Sequence, residues 1–179
     1  MKGDINIMAY EYLKEFIYNN LSEAEDNISE EKPHYFVKAD SEMENDIKRM
    51  EEKLNIKIPL ELKTFFVNVG SGELFAGSPD EYIGQYIFLD LQSILGIYDK
   101  EEDIDCLYSS RRELAREYLI NNHLLAFVDF SELSFLFISL DEDQGKNAVY
   151  YSIDTKIASS LEEFVEKIMN EPDYFIEEM

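Results

Sequence analysis

The chain has 179 residues, of which 45% are hydrophobic and 13% aromatic, enough for one packed domain with or without an appended helix and too much for a disordered chain. Its 39 acids against 16 bases leave a formal net charge of -23, a field that repels nucleic-acid phosphates and anionic membranes and attracts basic partners. The longest apolar runs, Leu124 to Val128 and Phe135 to Ile138, are far shorter than the ~20 residues of a membrane helix, and acids interrupt the N-terminal apolar stretch where a secretory signal would have none.

In chain order, Tyr10, Leu13, Ile17 and Leu21 recur at helical spacing and predict a helix from about Asp4 to Leu21, with Asp4 as a possible cap. The polar "SEAEDNISEEKP" that follows reads as a solvated connection, so residues 1–34 are expected to form an N-terminal helix and acidic linker, and 35–179 the main domain. "YFVKA" is a short extended piece. Ser41 and Glu44 predict a capping box for a helix with Ile47, Met50 and Leu54 on its apolar stripe and Asn55 in the left-handed position after it. Pro59 suits the opening of the next helix, whose Leu62, Phe65, Phe66 and Val69 repeat at three- and four-residue intervals. Gly70 falls where that helix should end. A phosphate loop needs its glycines before a helix and a Gly-Lys-Ser/Thr sequence; here they follow one, and Gly72 precedes Glu73, so the glycines read as a helix stop.

Further on, "GQYIFLDL" (84–91) reads as a strand with Tyr86 and Phe88 on one face and Ile87, Leu89 and Leu91 on the other. The acidic "DKEEDID" (99–105) must be exposed. Ser110 and Glu113 predict a second capping box, for a helix through Leu114, Tyr118 and Leu119 to Asn121-Asn122. "LLAFVDF" (124–130), "LSFLFISL" (133–140) and "NAVYYSI" (147–153) are three more extended segments, the last two joined by "DEDQGK" as a hairpin loop. Ser159 or Ser160 caps a closing helix in which Leu161, Phe164, Val165, Ile168 and Met169 form one apolar face. The expectation is an α+β fold: an antiparallel sheet of about four to six strands flanked by N-terminal, middle and C-terminal helices.

The chemistry-bearing residues are sparse. His34 and His123 are far apart in sequence and Cys106 has no partner cysteine, so no metal site and no internal disulfide are expected, and the lone thiol fits a reducing, cytoplasmic compartment. Counted from Asp141 as a calcium loop, the glycine stands at position 5 and Ser152 at 12, where position 6 and a glutamate are required. Cys106 with His123 is the one conceivable nucleophile and base, but acids beside Cys106 would blunt a thiolate. Three of the four arginines, Arg111, Arg112 and Arg116, share one predicted helix; they suit either an anion grip or pairing with Glu113, Glu117 or the acidic loop. No catalytic residue, cofactor or metal is expected. The acids Asp99, Glu101, Glu102, Asp103 and Asp105, with Asp141, Glu142 and Asp143, are the candidate contacts for a basic partner.

Taken as a series, "LNIKIP", "LELKTFF", "VGSGELF", "LLAFVDF", "FLFISLDED", "VYYSI" and "ASSLEEFVEKI" resemble the SUKH superfamily of bacterial immunity proteins and yeast cell-wall synthesis regulators, over about residues 40 to 169. The hydrophobic-Pro pair is Ile58-Pro59, and the closing Ser-hydrophobic-x-x-Phe is Ser160, Leu161 and Phe164. The resemblance implies a non-catalytic protein that binds a cognate toxin, basic and nuclease-like, and neutralises it by electrostatic and steric blockade; the net charge argues for neither nucleic acid nor membrane as partner. Its eukaryotic branch implies the alternative, an intracellular adaptor or regulator of cell-wall or signalling proteins.

Overall fold

The computed structural model describes residues 10–15, 17, 34–75, 86–98, 106–130, 134–172 and 174–176. Seven strands, β1 (His34–Val37), β2 (Ser71–Leu74), β3 (Tyr86–Phe88), β4 (Leu124–Phe130), β5 (Ser134–Ser139), β6 (Val149–Ser152) and β7 (Thr155–Ala158), form one sheet in chain order. Every neighbouring pair is antiparallel, so the sheet is a meander. Five helices are set among them: α1 (Met43–Leu54), α2 (Leu60–Asn68), α3 (Leu91–Tyr98), α4 (Cys106–Asn122) and α5 (Leu161–Asn170). A further helical stretch covers residues 11–15. The fold is the expected α+β arrangement with more strands than expected, because β2 and β7 have four residues each and carry Ser71, Glu73, Thr155 and Lys156, too short and polar for an alternating pattern to register.

Both faces of the middle of the sheet are covered. On one face α2 and α5 meet β3 and β4, with the Phe65 ring stacked on Phe88 at 4.8 Å and Phe164 edge-on to Phe127 at 6.0 Å. Tyr10, Leu13 and Ile17 are buried in the same core, Tyr10 edge-on to Phe65 at 5.3 Å. Phe175 closes one end against Phe130 and Tyr86, while the Tyr86 hydroxyl donates to the Pro172 carbonyl. On the opposite face α4 lies over β4 and β5, with Tyr118 5.0 Å from Phe137. Burial from both sides is why β4 and β5 are almost continuously apolar rather than alternating. Among the described residues no helix is long and apolar enough to cross a membrane.

Helix ends follow local chemistry, in part differently from expectation. Asn55 takes the left-handed conformation after α1, with φ 53°. Gly70 ends α2 at φ 101°, and a Cβ there would lie 2.0 Å from the Val37 carbonyl oxygen, so close passage of β1 demands glycine as much as the turn does. Pro59 is the N-cap residue just ahead of α2. The Ser41–Glu44 capping box does not form: α1 opens after Glu42, which makes no side-chain cap hydrogen bond, and the Glu42 N–H donates to the Asp40 carboxylate at 2.9 Å in the turn ahead of the helix. Nor does Ser110 cap α4, which already begins at Cys106 and holds Ser110 inside it. The expected helix from Asp4 to Leu21 is not continuous, because Tyr10 has φ 70°; Asp4 and Leu21 themselves lie outside the described residues. Leu91, read as the end of a strand, instead opens α3, and Asp90 marks that start by accepting the Ser93 N–H at 2.6 Å.

Candidate partner-binding surface

Of the acids singled out from sequence, Asp141, Glu142 and Asp143 stand exposed on the β5–β6 hairpin. The hairpin tip is a two-residue turn in which Gln144 and Gly145 both have positive φ, 52° and 82°, and Asp143 and Lys146 exchange backbone hydrogen bonds of 2.8 and 3.0 Å. Its base is tied by buried polar groups. The Ser139 hydroxyl donates to the Asp141 carbonyl at 3.0 Å and accepts from the Asp141 N–H at 3.1 Å, and the Asn147 amide donates to the Ser139 carbonyl at 3.0 Å. These acids are thus presented on a rigid support.

His123, isolated in sequence, meets this hairpin. It ends α4 in the left-handed conformation with φ 55°, accepts the Leu140 N–H, and brings Nδ1 to 3.1 Å from both Asp141 carboxylate oxygens. Both side chains are well exposed, so the pair positions the tip more than it stabilises it. Cys106 begins α4 and His123 follows its end, about 25 Å apart along a 17-residue helix, which separates the nucleophile and base weighed from sequence.

Asp99, Glu101, Glu102, Asp103 and Asp105 lie outside the described residues. In the chain they join Tyr98 at the end of α3 to Cys106 at the start of α4, whereas Asp141 contacts the residue beyond the far end of α4. The two acidic runs therefore attach to opposite ends of one helix.

Two arginines of α4 reach into the body of the protein. Arg111 pairs with Asp129 of β4 at 2.7 Å and lies 4.3 Å over the Phe135 ring; Arg116 donates from Nε to the Ile97 carbonyl at 2.9 Å. Arg112 lines a cavity of about 480 Å³ with Lys53, Gln92, Ser93 and Asp129. Sequence alone had no means to find Asp129 as the partner, since it sits inside an apolar strand eighteen residues away.

Two carboxylates act as structural ties. Glu51 accepts from Lys63 at 2.6 Å and from the Ile58 N–H at 2.8 Å; burial works to raise its pKa, but these donors outweigh it and hold the carboxyl below its ordinary range. Glu61 accepts the Leu161 N–H at 2.8 Å, joining α2 to the start of α5, and burial lifts its carboxyl above the ordinary range despite that donor. Nearby, burial first and then Glu166 and Glu162 push the Tyr12 hydroxyl up to about 12. Among the described residues no group of three or more His, Cys, Asp or Glu is placed to hold a metal ion.

A sequence model of the SMI1 / KNR4 family (SUKH-1) matches residues 43–167, from the first residue of α1 into α5. Among curated proteins, the chain is 29% identical over 150 residues to one named immunity protein YxxD from Bacillus subtilis (strain 168), an alignment that covers 79% of this chain and 94% of that protein. No solved structure matches the chain.

Proposed function

The chain belongs to the SMI1 / KNR4 family (SUKH-1), and from that premise we propose that it is an immunity protein, which binds a cognate bacterial toxin inside the producing cell and blocks it without catalysis. The observation that carries this reading is the alignment with a protein named as an immunity protein over nearly that protein's whole length. The partner is a basic toxin domain of nuclease type. A surface with a formal net charge of -23 steers such a domain into contact and covers the groove with which it would hold nucleic-acid phosphates. Asp141, Glu142 and Asp143 on their rigid hairpin, and the acidic run from Asp99 to Asp105, supply the attraction. Residues 35–179 form the binding domain, to which the N-terminal segment adds Tyr10, Leu13 and Ile17 as core.

The test is purification of the tagged chain from its native cells at low and at high salt, with mass spectrometry of what co-elutes. One near-stoichiometric protein with a basic toxin domain is the expected result. Recovery only of several substoichiometric cell-envelope or signalling proteins would replace immunity with the adaptor role.

A further inference from the structure

Helix α4 is unusual for a helix laid on a sheet. Of its described side chains only Ala115 is buried, while Leu114 is 44% and Ile120 70% exposed. Among the strands it lies mainly over β4 and β5. Register carries the same sheet face onward from Phe137 to Tyr150 and then to Lys156, which are half-buried and exposed. The step between the helix and this open part of the sheet is a cleft of about 210 Å³, with Leu114 and Tyr118 on one wall, Phe135 and Phe137 as its floor, and Ser152 opposite. Small-molecule sites occupy about 300–1,000 Å³, so this cleft suits a single anchoring side chain from a protein.

The elements that carry the cleft also carry exposed acids. Glu113 and Glu117 stand exposed on α4, Asp154 on the β6–β7 turn at one end, and the hairpin acids Asp141, Glu142 and Asp143 at the other, where His123 joins α4 to the hairpin. Lys146 and Lys156 are the exposed lysines of those elements, and the one charged residue that lines the cleft, Arg111, is paired with Asp129. At the Arg111 end, Ser134 also lines the cleft, and its buried hydroxyl has no hydrogen-bond partner among the described residues, leaving a polar group for an occupant to satisfy. An apolar centre inside a charged rim is the anatomy of a protein interface.

We propose that the cleft between α4 and the β5–β6 side of the sheet is the docking site for the basic partner, receiving an aromatic or branched side chain flanked by lysines or arginines. This rests on the immunity reading and locates its interface. It makes the hairpin acids the steering edge of the surface and Leu114 and Tyr118 its centre.

The test compares full-length tagged wild type with Leu114→Arg, with the triple variant D141N/E142Q/D143N, and with Leu60→Arg in the separate α1–α2 groove. All are purified from the native cells, and the probe is the basic protein recovered with wild type, quantified against bait. Leu114→Arg puts a like charge at the centre and should lower recovery about tenfold or more; the triple variant should lower it about threefold at low salt and much less at high salt. Leu60→Arg should leave it unchanged. Leu114 and Leu60 are 44% and 55% exposed, so wild-type melting temperatures are expected. Should Leu114→Arg melt early, Glu117→Lys, on the solvent side of α4, takes its place with the same expected direction. Full recovery with a folded Leu114→Arg or Glu117→Lys overturns the docking site and leaves the immunity reading standing. A wild type that recovers no basic protein overturns both.

Discussion

Helices α5 and α4 are neighbours of the same sheet and opposites in character. In α5, ten residues bury Leu161, Phe164, Val165 and Ile168 completely, and Ser160 caps the first turn by accepting the Glu163 N–H at 3.0 Å. The Glu163 carboxylate answers by accepting the Ser159 N–H at 2.8 Å. Among the described side chains of α4, Leu114 and Ile120 are exposed, and Arg111 and Arg116 reach past the helix to Asp129 and the Ile97 carbonyl. Burial, rather than length, separates the two roles. The short helix is packed into the core, whereas the described side chains of the long one are mostly exposed or half-buried.

The sharpest break of that contrast would come from truncating one side chain on each helix. Phe164→Ala leaves a cavity among Phe88, Phe127 and Tyr86 and should cost about 3–5 kcal/mol, whereas Ile120→Ala should stay within about 0.5 kcal/mol of wild type. Equilibrium urea unfolding reads both, and equal losses would erase the distinction. Next in size, Ser160→Ala removes the α5 cap and should cost about 1 kcal/mol in the same assay.

The smallest effect concerns pH. The Glu61 carboxyl, raised by burial, binds its proton more tightly in the fold than in the unfolded chain. Its contribution is therefore full below the ordinary carboxylate pKa and is lost as pH rises through the raised value. Glu61→Gln keeps an acceptor for the Leu161 N–H, so relative to wild type it should gain stability as pH rises from about 4 to 7. Glu51, held low by Lys63 and the Ile58 N–H, has the opposite sign: Glu51→Gln should lose ground over the same rise. Parallel slopes for the two variants would show that the carboxylates do not differ in this way.

What was legible in sequence follows from how local each signal is. The α5 stripe and its Ser160 cap, the Asn55 and Gly70 stops and the "DEDQGK" turn are written within a few residues, and each appears where its spacing places it. Strands β2 and β7 and helix α3 were missed because four to eight residues hold too few repeats to set a period; the Asp90 cap was the one available sign of α3. The two capping boxes failed for a related reason. A Ser-x-x-Glu spacing is common in an acidic chain: the first falls one residue ahead of the observed N-cap Glu42, and the second inside a helix that starts earlier.

By itself the sequence determined the α+β class, the longer strands, the helix stops at Asn55 and Gly70, the α5 cap and the acidity of the chain, because hydrophobic period, cap chemistry and charge are properties of short stretches of chain. Only the tertiary structure decided which groups meet: Arg111 with Asp129, Glu61 with the start of α5, His123 with Asp141, and Leu114 with the cleft floor at Phe137. These pairs bring together residues of different elements up to a hundred positions apart, and such meetings are set by how a twisted sheet and its helices pack, which no local pattern encodes.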